Sequence, residues 1–271
     1  MMHEADRWSA AGADAAPDAV RPPVASPATP PRPPTLPIGG LMLRGAHGPA
    51  KVRHWPSRPD LAHLVLYQQT SPPTGDDLMR WCDELTRLGF TGVRTSALAA
   101  GGGARVERHG FHVAQRLVLL QHDEPGSAGA PAHRVHRLPD EQDAQAAALD
   151  ATSFGPEWTL DREALADVRT ATPRHRARAT HGPGGTLTGY AVTGRDSRLG
   201  FLQRLAVHPD RRRDGLGRAL VQDSLRWAAR WRVQRVLVNT PHDNDAALAL
   251  YEGLGFHRLA DGLQVYERAL P

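Results

Sequence analysis

The chain has 271 residues, 40% of them hydrophobic, with 33 basic against 29 acidic side chains for a net charge of +4. That is room for two compact modules and a tail, and the single cysteine, Cys82, excludes an intrachain disulfide and fits a reducing cytoplasm. The modest, interspersed positive charge suits an anionic small molecule better than a nucleic acid, no apolar run is long enough to span a membrane, and the 14 histidines show no metal-ligand spacing.

Residues 1–37 are Ala-rich and then Pro-dense (Pro30-Pro31-Arg32-Pro33-Pro34). Such a stretch buries too little surface to offset its ordering entropy, and it lacks the apolar core of a signal peptide, so it reads as a disordered tail. Residues 38–124 read as a smaller α/β module, with a strand over 61–67, an amphipathic helix over 75–88, and strands over 92–96 and 111–120. Residues 125–132 are the expected linker. From 133 to 271, strands are expected over 134–138, 176–180, 186–193, 201–207, 235–240 and 263–270, and helices over 140–149, 161–170, 216–231 and 245–254. That alternation predicts a mixed central sheet with helices on both faces.

The chemistry concentrates where the strand over 201–207 meets the helix from 216. Between them runs Arg211-Arg212-Arg213-Asp214-Gly215-Leu216-Gly217. Gly215 and Gly217 lack Cβ, so the backbone can turn tightly and aim successive N–H groups into one hollow. The helix adds the positive end of its dipole at the same spot, and the expected ligand is a pyrophosphate. Arg218-Ala219 stand where a triphosphate loop has Lys and Ser or Thr, and Leu220 stands where a dinucleotide fingerprint has its third glycine.

Downstream lies Asn244-Asp245-Ala246-Ala247-Leu248-Ala249-Leu250-Tyr251-Glu252-Gly253-Leu254-Gly255-Phe256. Together the two segments resemble the GNAT family of N-acetyltransferases. Arg212, Gly215 and Gly217 match the family's Arg/Gln-x-x-Gly-x-Gly/Ala coenzyme loop. Asn244, Ala247, Leu250, Tyr251, Gly255 and Phe256 match its Asn-x-x-Ala-x-x-Leu-Tyr-x-x-x-Gly-Phe signature. The resemblance covers roughly residues 133–271 and is nearest to the ribosomal-protein N-terminal acetyltransferases. It implies a GNAT fold, acetyl-CoA as co-substrate and no metal. By the same resemblance, backbone groups of Leu205, Ala206 and Val207 pair with the pantetheine arm, the Val207 N–H facing the developing oxyanion. The amides of Arg213, Asp214, Gly215, Leu216, Gly217 and Arg218 cradle the pyrophosphate, with Arg212 at the head of the loop. Asn244 contacts the pantetheine, and Tyr251 protonates the leaving sulfur.

Read without the resemblance, Asn244 is an N-cap and Tyr251 a helix residue packed on the sheet. The ribosomal type carries a Glu on the strand before the last helix, where this chain has Asn239. Gln203 and Arg204 on the central strand supply no carboxylate either, so no base is assigned; His208, His242 and Asp243 are expected near the site. Phe154-Gly155-Pro156-Glu157-Trp158 is placed either to shape the acceptor groove or as a hydrophobic loop anchor.

Met79-Arg80-Trp81 echoes Leu225-Arg226-Trp227, and Gly110-Phe111 echoes Gly255-Phe256. Residues 38–124 therefore resemble the back half of a second, degenerate GNAT module, with an unrelated α/β cap as the alternative. No Arg-x-x-Gly-x-Gly lies between Tyr67 and Asp76, which predicts no coenzyme there. The expected function is a cytoplasmic, acetyl-CoA-dependent N-acetyltransferase that transfers directly to a primary amine. A protein N-terminus comes first and a small-molecule amine second, and a non-catalytic acetyl-CoA-binding module is the rival. No aromatic-basic motif points to nucleic acid, no membrane partner is expected, and the oligomeric state is left open.

Overall fold

The computed structural model of the protein describes residues 33–66 and 73–271. The first half of the described chain forms β1 (Leu41–Leu43), β2 (Ala50–Trp55), β3 (Arg58–Leu66), α1 (Gly75–Leu88), β4 (Gly92–Thr95), α2 (Ala100–Glu107) and β5 (His112–His122). The second half forms β6 (His136–Arg137), α3 (Asp143–Ser153), α4 (Arg162–Thr170), β7 (Arg174–His181), β8 (Leu187–Arg195), β9 (Leu199–Val207), α5 (Leu216–Arg230), β10 (Arg235–Pro241), α6 (Asp245–Glu252), β11 (His257–Arg258) and β12 (Leu263–Ala269). The mixed sheet and the main helices lie where the pattern of apolar residues puts them. The tail expected over 1–37 falls outside the described residues as far as 32; Pro34 is buried and Leu36 packs on the core of the first module.

All twelve strands join one sheet in the order β1-β2-β3-β4-β12-β5-β10-β9-β8-β7-β6, with β11 also on β5. The last strand does not return to its own half. β12 inserts between β4 and β5 of the first module, and β5 takes the place beside β10. A division at 124 and 133 therefore separates the chain in sequence but not in space. The cause is visible in the side chains. Tyr266 of β12 is buried in the core of the first module, where its hydroxyl lies so close to Gly103 of α2 that a Cβ there would sit 2.0 Å away.

Three cores hold the sheet. The first module packs Leu78, Trp81 and Leu85 of α1 and Val106 of α2 on Val52, Leu64, Val93 and Tyr266. In the second module, α5 and α6 cover one face through Leu220, Leu225, Leu248 and Tyr251, while α3 and α4 cover the other through Ala146, Leu149 and Leu165. β2 also meets a helix of the second module. Its Lys51 reaches Asp167 of α4 (2.7 Å), and Arg53 pairs with the same Asp167 and with Glu163 (2.7 Å). No helix among the described residues is long and apolar enough to cross a membrane.

Candidate active site

The site begins where two parallel strands part. β9 and β10 pair only over Leu199–Phe201 and Arg235–Leu237, and beyond that they splay. The far side of β9 stays paired with β8 to its end, Gly189 opposite Val207. The His208 N–H bonds to the Thr188 carbonyl across β8 (2.9 Å). Backbone direction alternates along a strand, so Leu205 and Val207 turn their N–H and C=O groups into the gap, and Ala206 turns its own toward Tyr190 of β8. Ala206 thus drops out of the expected pantetheine-pairing set, while Leu205 and the Val207 N–H keep an open edge; the Val207 carbonyl accepts from the Ser153 hydroxyl (3.2 Å).

The arginine-rich loop closes the wide end of that gap. Arg213 (φ 69°) and Gly215 (φ 81°) both adopt left-handed backbone, an arrangement that folds consecutive amides toward a common hollow. α5 then starts at Gly215 with no side chain capping its first amides, and four unpaired N–H groups are the normal state of such an end. The loop side chains brace it from outside. Arg211 bonds Asp214 (2.7 Å), and Arg212 donates to the Ser153 carbonyl at the end of α3 (2.8 Å). Arg212 is therefore occupied with holding the loop against α3, and Asp214 offers only its backbone. Gly217 is a point of close approach, where a Cβ would lie 3.3 Å from Leu250 and 3.7 Å from Val207. Arg218 is exposed and reaches the Gly253 carbonyl (3.3 Å).

On the other wall, Asn244 is the N-cap of α6, its Oδ1 accepting from the Ala247 N–H (3.2 Å). The carboxamide NH2 stays available to a ligand. Tyr251 is buried at 5% exposure in the cluster that also holds Val207 and Leu250, its ring tilted on Phe256 at 5.6 Å. Burial pushes its hydroxyl well above the ordinary tyrosine pKa, against a weaker opposing pull from Arg204. At neutral pH it is a proton donor.

Past the end of β10, a cleft of about 420 Å³ opens between the modules. Glu157, Trp158, His242 and Asp243 line it from one side, and Arg94, Gln115 and Arg116 from the other. His208 is not part of it; its Nδ1 accepts from the Asp210 N–H (3.3 Å). A buried network holds the 154–158 loop over the cleft. Asp150, fully buried, accepts two bonds from Arg204 (2.8 and 2.5 Å), one from the Tyr190 hydroxyl, and one from the Leu160 N–H (2.7 Å). Arg204 also donates to the Trp158 carbonyl (2.6 Å) and lies 3.7 Å from the Phe154 ring centroid. So saturated, Asp150 is a strut and no base. Arg94 of the first module completes the frame, bonding Glu157 (2.9 Å) and Glu267 (2.6 Å) while stacking on Trp55 at 4.5 Å. Nothing local in the sequence links Arg94 to Glu157; only the sheet order brings them together.

Residues 145–256 match the model of the acetyltransferase (GNAT) family. Mycothiol acetyltransferase of Kineococcus radiotolerans is 33% identical over 181 residues, 60% of this chain and 57% of that relative. The chain thus spans little more than half the length of this curated relative. A tandem GNAT protein from the clavulanic acid biosynthesis pathway shares the fold, with a TM-score of 0.58 over 84% of this chain and 81% of that one at 17% identity. A GCN5-related N-acetyltransferase from Sphaerobacter thermophilus does so with a TM-score of 0.54 over 82% and 76% at 16% identity. Coverage this wide takes in the first module as well as the GNAT segment.

Proposed function

We propose that the protein is an acetyl-CoA-dependent N-acetyltransferase whose acceptor is a small polar amine entering the cleft between the modules. The observation that carries this reading is the splay of β9 from β10, which opens the Val207 edge between an uncapped helix end and a buried, protonated tyrosine. The amides from Arg213 to Arg218 hold the pyrophosphate, and the open edge at Leu205 and Val207 pairs with the pantetheine arm, with the Asn244 carboxamide beside it. The thioester supplies an activated acyl carbon. Its carbonyl oxygen receives the Val207 N–H as negative charge develops, a contact that strengthens in the transition state. The amine nitrogen bonds to the acyl carbon, the C–S bond breaks, and the sulfur takes the Tyr251 proton. The tyrosinate recovers a proton from the nitrogen of the product as the amide forms.

Two features favour a small acceptor over the protein N-terminus expected at first. The cleft has the volume usual for small-molecule sites and is walled on both sides, with acids (Glu157, Asp243) and bases (Arg94, Arg116) in one space. The curated relative above is named for mycothiol, not for a protein chain. Glu157 and Asp243 suit an ammonium group, and Arg116 suits hydroxyl or carboxylate oxygens on the same molecule.

The test is steady-state acetylation of a panel of amines by Tyr251→Phe. Kcat should fall by about 10²- to 10⁴-fold, the range for a general acid, with little change in the KM for acetyl-CoA. In the unmodified protein the alkaline limb of kcat should lie above about pH 10, because the folded tyrosine keeps its proton beyond its ordinary value. A loss of tenfold or less in Tyr251→Phe would remove the acid role. Acetyl-CoA binding with no turnover on any amine would leave a coenzyme-binding module.

A further inference from the structure

At the end of the sheet remote from the transfer site, arginines and tryptophans from three elements form one face. β9 runs nine residues from that end to Val207, about 25 Å at strand rise, so the two regions do not touch. Arg174, Arg176 and Arg178 alternate along β7 with the buried Ala177 and Ala179, which puts them on the side opposite α3 and α4. The register sets Arg195 of β8 directly opposite Arg174. α5 lays Asp223, Trp227, Arg230 and Trp231 alongside: Arg176 bonds the carbonyl and carboxylate of Asp223, and Arg178 approaches the same carboxylate (3.4 Å). Arg176 lies 5.4 Å from the Trp227 ring centroid, and Arg195 lies 4.6 Å from that of Trp231.

The charges on this face do not balance. Like charges directly opposed across a hairpin destabilise it. Asp223 is the carboxylate these arginines reach; Asp196 is taken up by its own turn, accepting from the N–H groups of Arg198 (3.1 Å) and Leu199 (2.9 Å). Arg174, Arg195, Arg198, Arg230 and Arg232 form no ion pair among the described residues. Burial lowers the Arg176 pKa to about 10 against the pull of Asp223, and the neighbouring Arg178 and Arg230 add to the lowering. The Nε–H groups of Arg176 and Arg195 are buried without an acceptor, and beside them the Trp231 ring is 55% exposed. Exposed guanidinium groups with no carboxylate call for an anion, and a large bare ring among them calls for a flat π-system.

We propose that this face binds single-stranded nucleic acid, with phosphates on Arg174, Arg195 and Arg230 and a base stacked on Trp231. A strand offers both groups at adjacent positions, whereas an acidic peptide offers the charge without the ring. The aromatic-basic pattern was present in the sequence as Arg226-Trp227-Ala228-Ala229-Arg230-Trp231-Arg232, but it lies on the last turn and just past the end of a helix whose other face is core, and the strand arginines that complete it are about 30–60 residues upstream. This proposal runs against the expectation of no nucleic-acid partner drawn from the sequence. The inference is independent of the acetyl-transfer reading.

The test is fluorescence anisotropy of the full chain with a labelled twelve-nucleotide single-stranded RNA and with an abasic strand of the same length. Raising salt fourfold should weaken RNA binding by roughly twentyfold, as three phosphate contacts to a single strand require. Trp231→Ala should weaken RNA binding by about fivefold or more and leave the abasic strand unaffected. Arg195→Ala should weaken both strands and flatten the salt dependence. Absence of binding at low salt would overturn the proposal. So would equal affinity for the two strands together with indifference to Trp231→Ala, which would mark a site for polyanions at large.

Discussion

α1 and α5 occupy corresponding places in the two modules, and their N-termini are built in opposite ways. Each follows a strand, β3 or β9, and leads into a second strand and a second helix. Three residues past the end of each second helix comes a left-handed glycine, Gly110 or Gly255, followed by a buried phenylalanine whose N–H bonds back to the residue five before it, Val106 in one module and Tyr251 in the other. The scaffold is the same; the chemistry is not. α1 is closed by a capping box in which Thr74 accepts from the Asp77 N–H (3.0 Å) and Asp77 from the Thr74 N–H (3.3 Å), and Asp77 also takes the Ala46 N–H (3.0 Å). Its first turn already holds Asp76 and Asp77 against the helix dipole. α5 opens with Gly215, no side-chain cap and a run of arginines before it. A helix end satisfied by its own carboxylates has no use for a phosphate, and one left open does. With Val106 where Tyr251 stands, the first module lacks that hydroxyl as well.

That comparison can be broken by exchanging its parts. Gly215→Asp puts a carboxylate at the open end of α5, as Asp76 and Asp77 do at the end of α1, and at a left-handed position that Asp tolerates. It should weaken acetyl-CoA binding on the order of a hundredfold, since like charges set against each other cost several kcal/mol. Arg94→Ala cuts the strap from the first module to Glu157, and should raise the KM for the amine about tenfold while leaving that for acetyl-CoA unchanged. Equal changes in both constants would mean that Arg94 merely holds the fold. Thr74→Ala has the smallest expected effect, about 1 kcal/mol of unfolding free energy in denaturant titrations, with acetyl-CoA affinity untouched.

Much of the second module was legible because its signals are local. The loop from Arg211 to Gly217 and the run from Asn244 to Phe256 state their chemistry within a few residues, and α1 runs over the residues its apolar spacing marks, Gly75–Leu88. Other features were hidden for physical reasons. α2 (Ala-Gly-Gly-Gly-Ala-Arg-Val-Glu) has glycines that oppose a helix, and it forms because Gly103 leaves room for the Tyr266 ring. β1 has three residues, and in β2 the alternation of Ala50-Lys51-Val52-Arg53 covers only four residues before His54 breaks it, too short a run to announce a strand. The insertion of β12 between β4 and β5 pairs residues 146 to 177 positions apart, and local patterning carries no record of it. With it were hidden the cleft between the modules and the turning of Ala206 toward β8 instead of into the gap.

The most direct test of the account is calorimetric titration of the full chain with acetyl-CoA, repeated on Gly215→Asp. One molecule should bind per chain, and that binding should be lost in the variant while its thermal unfolding stays cooperative. Two molecules per chain, or undiminished binding in Gly215→Asp, would contradict the assignment of the coenzyme to the open end of α5.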